Sequence, residues 1–535
     1  MHDPILLQLT RSLLEAAAED MGTTLQRVAF SANIKERRDF SCALFDADGR
    51  LLAQAAHIPV HLGSKPACVP AVVDRLGILG EGDVAIVIDP YAGGTHLPDI
   101  TLVSPIYAEG VLIGYSASRA HHADVGGISP GSMTLSRHID EEGHRIAPAF
   151  LYHAGNPNSA VINSLLAAVR NASERLGDLE AQLAANTIGI RSVQRLAAQL
   201  GLEHLKVYAQ ALLDYSAKFM ARAIDAIPAG IYKFEDYMDD DGFDARTIPI
   251  CVTLTVKPGH AIVDLSDTAD CVPGPINCPR AVACSAVYYC FACLLDGSVP
   301  LNAGCFSPIE VITRPGSLVD ARYPSAVVAG NTETSQRIVD VIFGALSQAL
   351  PDRIPAASAG TMSCLAIGSR GGPVWTYIET IPGGAGGGPR RAGAPAIHTN
   401  MTNTLNTPAE ALEMQYPLRV RRFERLPGSG GRGVHNGGDA VVRELDILGD
   451  IEGTVLSERR RQGPWGLNGA SAGAPGSNVL IAPDGTERSL GGKAQFSAGA
   501  GWRIRITTPG GGGWQPLGTG LEHDPAPMLA ENIRS

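Results

Sequence analysis

The sequence lacks the features that would direct it to a membrane or to nucleic acid. Its longest apolar stretch, Ala281–Leu295, is shorter than the roughly 20 residues that a membrane-spanning helix needs, so we expect a buried helix there. Lysine and arginine (43) are outnumbered by aspartate and glutamate (54), and no long block of like charge occurs. The net charge of −11 argues against nucleic acid or an anionic membrane as the main partner. Met1–Pro4 lacks the basic start of a secretion signal, and we expect a cytoplasmic protein.

The usual nucleotide-binding and hydrolase motifs are also missing. Gly491–Ala494 lacks both the first glycine and the hydroxyl residue of a phosphate-binding loop. Gly428–Gly433 has the spacing of a dinucleotide fingerprint, but it follows Arg425–Pro427 rather than a strand, and helix-breaking residues come next. No HExxH motif is present. The sequence therefore gives no recognisable ATP site.

Cysteine is present at ten positions, without a secretion signal. We expect most of these thiols to be reduced, as in cytosolic proteins. Cys290 and Cys293 form a CxxC pair, but they lie inside the apolar stretch. Small hydrophobic side chains packed in a core helix are therefore favoured over a metal or redox site.

Hydrophobic periodicity predicts a mixed α/β (α+β) protein. Residues 5–20 have helical spacing, and a long helical region follows at about 160–225. A hairpin is predicted around Asp46–Gly49, and further strands at Ala85–Ile88 and Val111–Ser118. After about residue 230 short β-like runs alternate with glycine-rich segments, which suit tight loops and close backbone approach. We predict an N-terminal metal-binding α/β domain (1–230), a glycine-rich, β-containing second domain (231–515) and an extended tail (516–535).

Four potential metal ligands fall at or just beyond predicted strand ends. They are Asp39, His96, Asp99 and His121. His96 and Asp99 are separated by two residues and can face one point from a single turn. Two imidazoles and two carboxylates can hold a divalent metal and leave positions open for water. Taken singly, each residue is also compatible with a hydrogen-bonded loop or a solvated charge.

Three further residues near these ligands are candidate catalytic groups: His122, Asp124 and Glu36. His121 and His122 are adjacent and point in opposite directions if the chain is extended, so we expect only one of them to reach the site. Asp124 could orient one of these histidines. The run Glu36–Arg38 is compatible with a solvated charge cluster, although Arg37 or Arg38 could instead bind an anionic group.

Seven segments, in this order along residues 3–515, resemble the hydantoinase B family, the B-type subunits of ATP-dependent hydantoinases and 5-oxoprolinases. Acetone and acetophenone carboxylases have related subunits. One such segment would be a weak signal, but their number and order make the match specific. The segments are 32–41, 57–63, 89–99, 120–127, 329–337, 401–408 and 508–513.

The resemblance implies a metal site at Asp39, His96, Asp99 and His121, with His121 rather than His122 as the ligand. It implies one divalent transition metal (Zn, Fe or Mn), and an A-type partner subunit that binds Mg-ATP and phosphorylates the amide oxygen of a small cyclic amide. The expected function is that of the metal-bearing B-type subunit of an ATP-dependent cyclic amide hydrolase, in a hetero-oligomer. A subunit of an ATP-dependent ketone carboxylase and a non-catalytic scaffold are the alternatives.

Overall fold

The structure, a computed structural model, describes residues 3–55 and 58–517. Most of the predicted tail, 518–535, and part of the segment 57–63 lie outside the described residues. The helices are α1 (Pro4–Val28), α2 (Ala32–Lys35), α3 (Ser64–Leu76), α4 (Ile139–Glu142), α5 (Ser159–Ala168), α6 (Ala172–Leu200), α7 (Leu202–Asp225), α8 (Arg280–Ala292), α9 (Ala303–Phe306), α10 (Ser335–Ala349) and α11 (Ala409–Gln415). A π-helical turn, Gly330–Thr334, leads directly into α10.

The strands are β1 (Phe40–Asp46), β2 (Leu51–Gln54), β3 (Val84–Ile88), β4 (Asp99–Ala108), β5 (Val111–His121), β6 (Ile146–His153), β7 (Asn156–Pro157), β8 (Gly230–Met238), β9 (Ile248–Lys257), β10 (His260–Asp264), β11 (Ile309–Ile312), β12 (Cys364–Ser369), β13 (Thr376–Thr380), β14 (Leu418–Leu426), β15 (Ala440–Ile447), β16 (Ile451–Leu456), β17 (Ser477–Ile481), β18 (Glu487–Ser489), β19 (Lys493–Ala498) and β20 (Arg503–Thr507). The mixed α/β class is confirmed, as are the amphipathic first helix, the β1–β2 hairpin and the long helical region.

Within the described residues the strands form four sheets. The first has seven antiparallel strands in the order β2-β1-β5-β4-β3-β6-β7. The second has the order β11-β10-β9-β8, in which only β10 and β11 are parallel. The other two, β13-β12-β16-β19 and β14-β15-β20-β17-β18, are antiparallel.

The first sheet is buried on both faces. Successive side chains of β1 point to opposite sides: Cys42 and Leu44 pack with residues of α1 and α6, whereas Ala43 and Phe45 join a second cluster. That second cluster also contains residues of α8, α10 and β9, so both halves of the chain contribute to it. The change of texture predicted near residue 230 coincides with the start of β8. The division of the chain into domains there stays a prediction.

The glycine-rich loops pack backbone against backbone, as the sequence predicts. A Cβ added to Gly384 would lie 1.9 Å from the carbonyl oxygen of Gly438, and one on Gly511 would lie 1.9 Å from that of Ala385. Only glycine permits such an approach. The expectation that no strand precedes Gly428 is wrong, since β14 ends at Leu426, but the next element is the strand β15 rather than a helix. A dinucleotide fingerprint is therefore not formed.

The apolar stretch around Cys290 is the buried helix α8, as predicted. All ten cysteines lie in the described residues, and none of them there forms a disulfide. In the described ranges, no helix combines the length and apolar character needed to cross a membrane.

Candidate metal centre

Three of the four predicted ligands meet because of the register of the first sheet. Asp99, the first residue of β4, lies directly opposite His121, the last residue of β5. Strand β1 pairs with the other side of β5, with Phe40 opposite Ala120. The backbone amide of His121 donates to the carbonyl oxygen of Asp39, 2.9 Å away. Antiparallel pairing thus places residues from three separate segments at one edge of the sheet.

The turn before β4 adds His96. Gly93 adopts a φ of 80°, and a Cβ on Gly94 would lie 2.5 Å from the carbonyl oxygen of Asp89, so the chain can bend here only with glycine. The His96 ring then packs edge-on against that of His121, with 5.0 Å between centroids. Residues 39, 96, 99 and 121 all line one small cavity of about 30 Å³, which has room for one or two water-sized groups.

Asp99 is the electrostatic centre of this cavity. Its Oδ2 atom lies 3.1 Å from Nε2 of His61 and 3.3 Å from Nε2 of His96, and it accepts a hydrogen bond from Thr95. Burial alone would raise the pKa of the Asp99 carboxyl, but His96 and His61 hold that pKa well below its usual range. The same contact raises the pKa of His96. Burial of the His96 ring would lower that pKa, but the Asp99 carboxylate raises it above the ordinary value. Asp99 is therefore ionised.

The sequence interpretation assigned no role to His61, although this residue lies in one of the family segments. A short 3₁₀ turn, Pro59–His61, presents its ring to Asp99, and its Nδ1 atom is 2.7 Å from the Ser41 hydroxyl. Burial lowers the pKa of His61 to about 4. His61 is thus a neutral ring that links the Ser41 hydroxyl to the Asp99 carboxylate.

His121 and Asp39 complete the donor set. The Asn33 carboxamide nitrogen lies 3.1 Å from Nδ1 of His121 and fixes the orientation of the ring. Burial, followed by the influence of His96, lowers the pKa of His121 well below its ordinary value, so the ring is in the neutral form that metals bind. Burial also raises the pKa of Asp39 to about 6, against the opposing effect of Arg37.

The chemistry of these donors fits a divalent metal, although the side chains are not yet at ligand positions. Across residues 3–55 and 58–517, no three His, Cys, Asp or Glu side chains are arranged as a ready metal site. However, Nδ1 of His96 and Oδ1 of Asp99 are buried without a hydrogen-bond partner, and Nε2 of His96 makes only the 3.3 Å ion-pair contact with Asp99, which lacks hydrogen-bond geometry. Unsatisfied buried groups cost about 1–3 kcal/mol each. Rotation of these side chains toward a shared ion would satisfy them, and imidazole and carboxylate are ligands of Zn, Fe and Mn.

The predicted catalytic residues are not brought to this cavity. His122 points away from it, as alternation predicts, and its Nε2 atom lies 2.9 Å from the Gln182 side chain on α6. The Asp124 carboxylate accepts from Arg170 at 2.7 Å and from the Ser132 hydroxyl, and neither histidine is among its hydrogen-bond partners in the described residues. The catalytic roles of His122 and Asp124 stay predictions.

The third candidate, Glu36, is half-buried at the end of α2 and does not line the cavity. Instead of these three candidates, polar residues from the second half of the chain line the cavity. They are Asn331, Thr332, Thr380, Thr402 and Thr404. Asn331 and Thr332 belong to the π-helical turn, and Asn331 Oδ1 and Thr332 Oγ1 are buried and unpartnered. The family segments 329–337 and 401–408 contain four of the five, but their sequence gives no reason to place them beside Asp39.

The chain matches the family described as hydantoinase B/oxoprolinase over residues 3–516. It is 38% identical over 540 residues to 5-oxoprolinase 1 of Arabidopsis thaliana, a match that covers 96% of this chain but 42% of the plant protein. It is 31% identical over 553 residues to a putative D-/L-hydantoinase B-type subunit of Pseudomonas sp. (strain NS671), covering 99% of this chain and 92% of that protein. The chain thus spans about two fifths of the length of the plant enzyme and nearly all of the bacterial relative.

Solved structures show the same fold. The ATP-dependent caprolactamase from Pseudomonas jessenii superposes with a TM-score of 0.90 at 27% identity, over 96% of this chain and 92% of that one. An acetone carboxylase superposes with a TM-score of 0.87 at 17% identity, over 96% of this chain and 76% of that one, a likeness of fold alone. The family match over almost the whole length, with the related bacterial hydantoinase chain, leads to one conclusion. The chain belongs to the hydantoinase B/oxoprolinase family.

Proposed function

We propose that this chain is the metal-bearing B-type subunit of an ATP-dependent hydrolase of cyclic amides. The observation that carries the proposal is the cavity in which two carboxylates and two imidazoles come together with unpartnered donor atoms. Relatives named as 5-oxoprolinase and as a B-type hydantoinase subunit, and the caprolactamase of the same fold, support the cyclic amide as substrate class. A cytoplasmic location belongs to the same proposal.

Asp39, His96, Asp99 and His121 would hold the metal. The chemistry that a divalent metal supplies when bound is Lewis acidity, which stabilises negative charge on oxygen and makes water more acidic. Asn33 orients His121, and the pair Ser41–His61 holds the Asp99 carboxylate from the other side. Burial of all these groups strengthens their charge interactions.

The substrate can approach through a neighbouring cleft of about 650 Å³. Ile58 lines both the cleft and the metal-site cavity, and the cleft has a mostly apolar wall that includes Lys65. That volume is typical of small-molecule sites. The ring of a cyclic amide would rest in the cleft while its reacting carbon faces the cavity.

An unactivated amide is a poor electrophile, and phosphorylation of its oxygen turns that oxygen into part of a leaving group. The sequence has no recognisable phosphate-binding loop for ATP, so we assign the phosphorylation to an A-type partner protein. The name of the bacterial relative, which describes it as one subunit of a hydantoinase, supports such a partner. The metal-site chain would then hydrolyse the phosphorylated substrate.

The test is reconstitution. The chain alone, and the chain with an A-type partner and Mg-ATP, are assayed for ring opening of 5-oxoproline, hydantoin and caprolactam, with ATP consumption measured in parallel. We expect turnover only in the complete mixture, with ATP consumed for each ring opened. Efficient ring opening by the chain alone without ATP would contradict the two-subunit mechanism. A product formed only from a ketone with bicarbonate would assign the chain to a carboxylase instead.

A further inference from the structure

Arg37 is a buried cation on the wall of the metal-site cavity. Its side chain is 1% exposed, and its guanidinium donates to the carbonyl oxygen of Ile378 at 3.1 Å and to the Thr380 hydroxyl at 3.2 Å. The nearest carboxylate oxygen, on Asp39, is 3.6 Å away, and Arg37 Nε has no hydrogen-bond partner. The guanidinium is therefore held by two neutral groups and by a long ion pair with Asp39, with one buried donor unused.

Neutral hydroxyls surround this cation. Thr332 is buried with its hydroxyl unpartnered, and it lines the same cavity as Arg37. The hydroxyls of Thr380 and Thr404 are 2.8 Å apart, and Thr402 is 3.3 Å from Thr404. Hydroxyl donors beside a guanidinium are the groups that bind phosphoryl oxygens. The part of the cavity lined by Arg37 and these hydroxyls thus has the chemistry of an anion-binding surface.

The balance of charges in the cavity also favours an anionic ligand. In the proposed metal site, the carboxylates of Asp39 and Asp99 balance a divalent ion. Arg37 then shares Asp39 with the metal, so three positive charges face two carboxylates inside a buried cavity, where unbalanced charge is unfavourable. An anionic group of the substrate would supply the missing charge.

We infer that Arg37, with the hydroxyls of Thr332 and Thr380, forms the subsite for the phosphoryl group of the phosphorylated substrate. This subsite rests on the proposed function and adds to it that the phosphoryl end of the activated substrate enters the cavity. The next residue, Arg38, has the same charge but is exposed, so it does not take part. The two neighbouring arginines therefore provide a matched comparison.

The test measures binding of inorganic phosphate to the purified, metal-loaded chain by isothermal titration calorimetry. Arg37→Gln should weaken phosphate binding about tenfold or more, because a charge-assisted hydrogen bond is lost. Arg38→Gln should bind phosphate as the wild type does, and the metal content should be unchanged in both. Arg37→Lys should recover only part of the affinity, since an ammonium group cannot reproduce the guanidinium fork.

Thr332→Val, which keeps the shape and removes the hydroxyl donor, should weaken phosphate binding several-fold even if Arg37→Gln does not fold. Equal phosphate affinity in Arg37→Gln and Arg38→Gln would overturn the subsite, as would acetate binding to the wild type as tightly as phosphate. The two proposals can fail separately. If the reconstituted mixture does not open the ring but phosphate binding still depends on Arg37, the cyclic amide is wrong as substrate class and the phosphoryl subsite is retained.

Discussion

Glu333 lies in the π-helical turn that presents Asn331 and Thr332 to the cavity, and it is the buried acid whose state is simplest to test. Its side chain is fully buried, and neither carboxyl oxygen has a hydrogen-bond partner. Burial raises the pKa of Glu333 from 4.5 to about 8. At neutral pH the folded protein therefore keeps this carboxyl protonated, whereas the unfolded chain ionises it.

The pH dependence follows from that difference. Because the folded pKa of Glu333 is raised, its contribution to stability is fully present below about pH 4.5 and is lost as the pH rises through about 8. Between those limits each pH unit removes up to about 1.4 kcal/mol from the free energy of unfolding. The Gln side chain of Glu333→Gln does not titrate, so this variant does not lose that part of its free energy of unfolding as the pH rises. From pH 5.5 to 7.5, the stability of the variant relative to wild type should therefore rise by about 2–3 kcal/mol.

The assay is urea unfolding of the wild type, Glu333→Gln and Glu203→Gln at pH 5.5, 6.5 and 7.5. The other titrating groups are shared by all three proteins, so they cancel in the differences. The Glu203 side chain is 86% exposed, so Glu203→Gln is the exposed control for the same chemical change. A pH-independent difference for Glu333→Gln would refute the reasoning and would mean that Glu333 is ionised and paired with the nearby Arg460 or Lys493.

Four further substitutions test separate parts of the account. His121→Ala should lose bound metal, measured by elemental analysis after dialysis, whereas His122→Ala should keep it, because only the first ring lines the cavity; the reverse result would mean that the register is wrong. Asn33→Ala should lower metal affinity by about 10–100-fold in a competition titration with a chelator, since it releases His121, and unchanged affinity would remove its orienting role. Arg443→Met should reduce the free energy of unfolding by about 3–5 kcal/mol, because it leaves Glu379 buried without the guanidinium 3.1 Å away, and a loss below about 1 kcal/mol would show that Glu379 takes up a proton.

The sequence predicts best what is decided by neighbours along the chain. The first helix and the β1–β2 hairpin follow from apolar spacing and from the turn at Asp46–Gly49, and both are present. Placing His96 and Asp99 together required only the glycine turn before β4. Because antiparallel strands share an edge, ligand candidates at strand ends could also be expected to meet.

Long-range packing decides the rest. Asp124 pairs with Arg170, 46 residues away, and no local pattern foretells that contact. Thr380 and Thr404 reach the cavity because the sheet containing β13 packs against the first part of the chain, where Arg37 donates to Ile378. The second-half residues of the site therefore lie outside what periodicity and spacing can indicate.

The most direct test of the central claim is the metal content of the purified chain and of His96→Ala and Asp99→Ala, by inductively coupled plasma mass spectrometry. We expect about one divalent transition metal per wild-type chain, and loss of that metal from both variants while circular dichroism shows an unchanged fold. Full retention of the metal in both variants would contradict the assignment of this cavity as the metal centre.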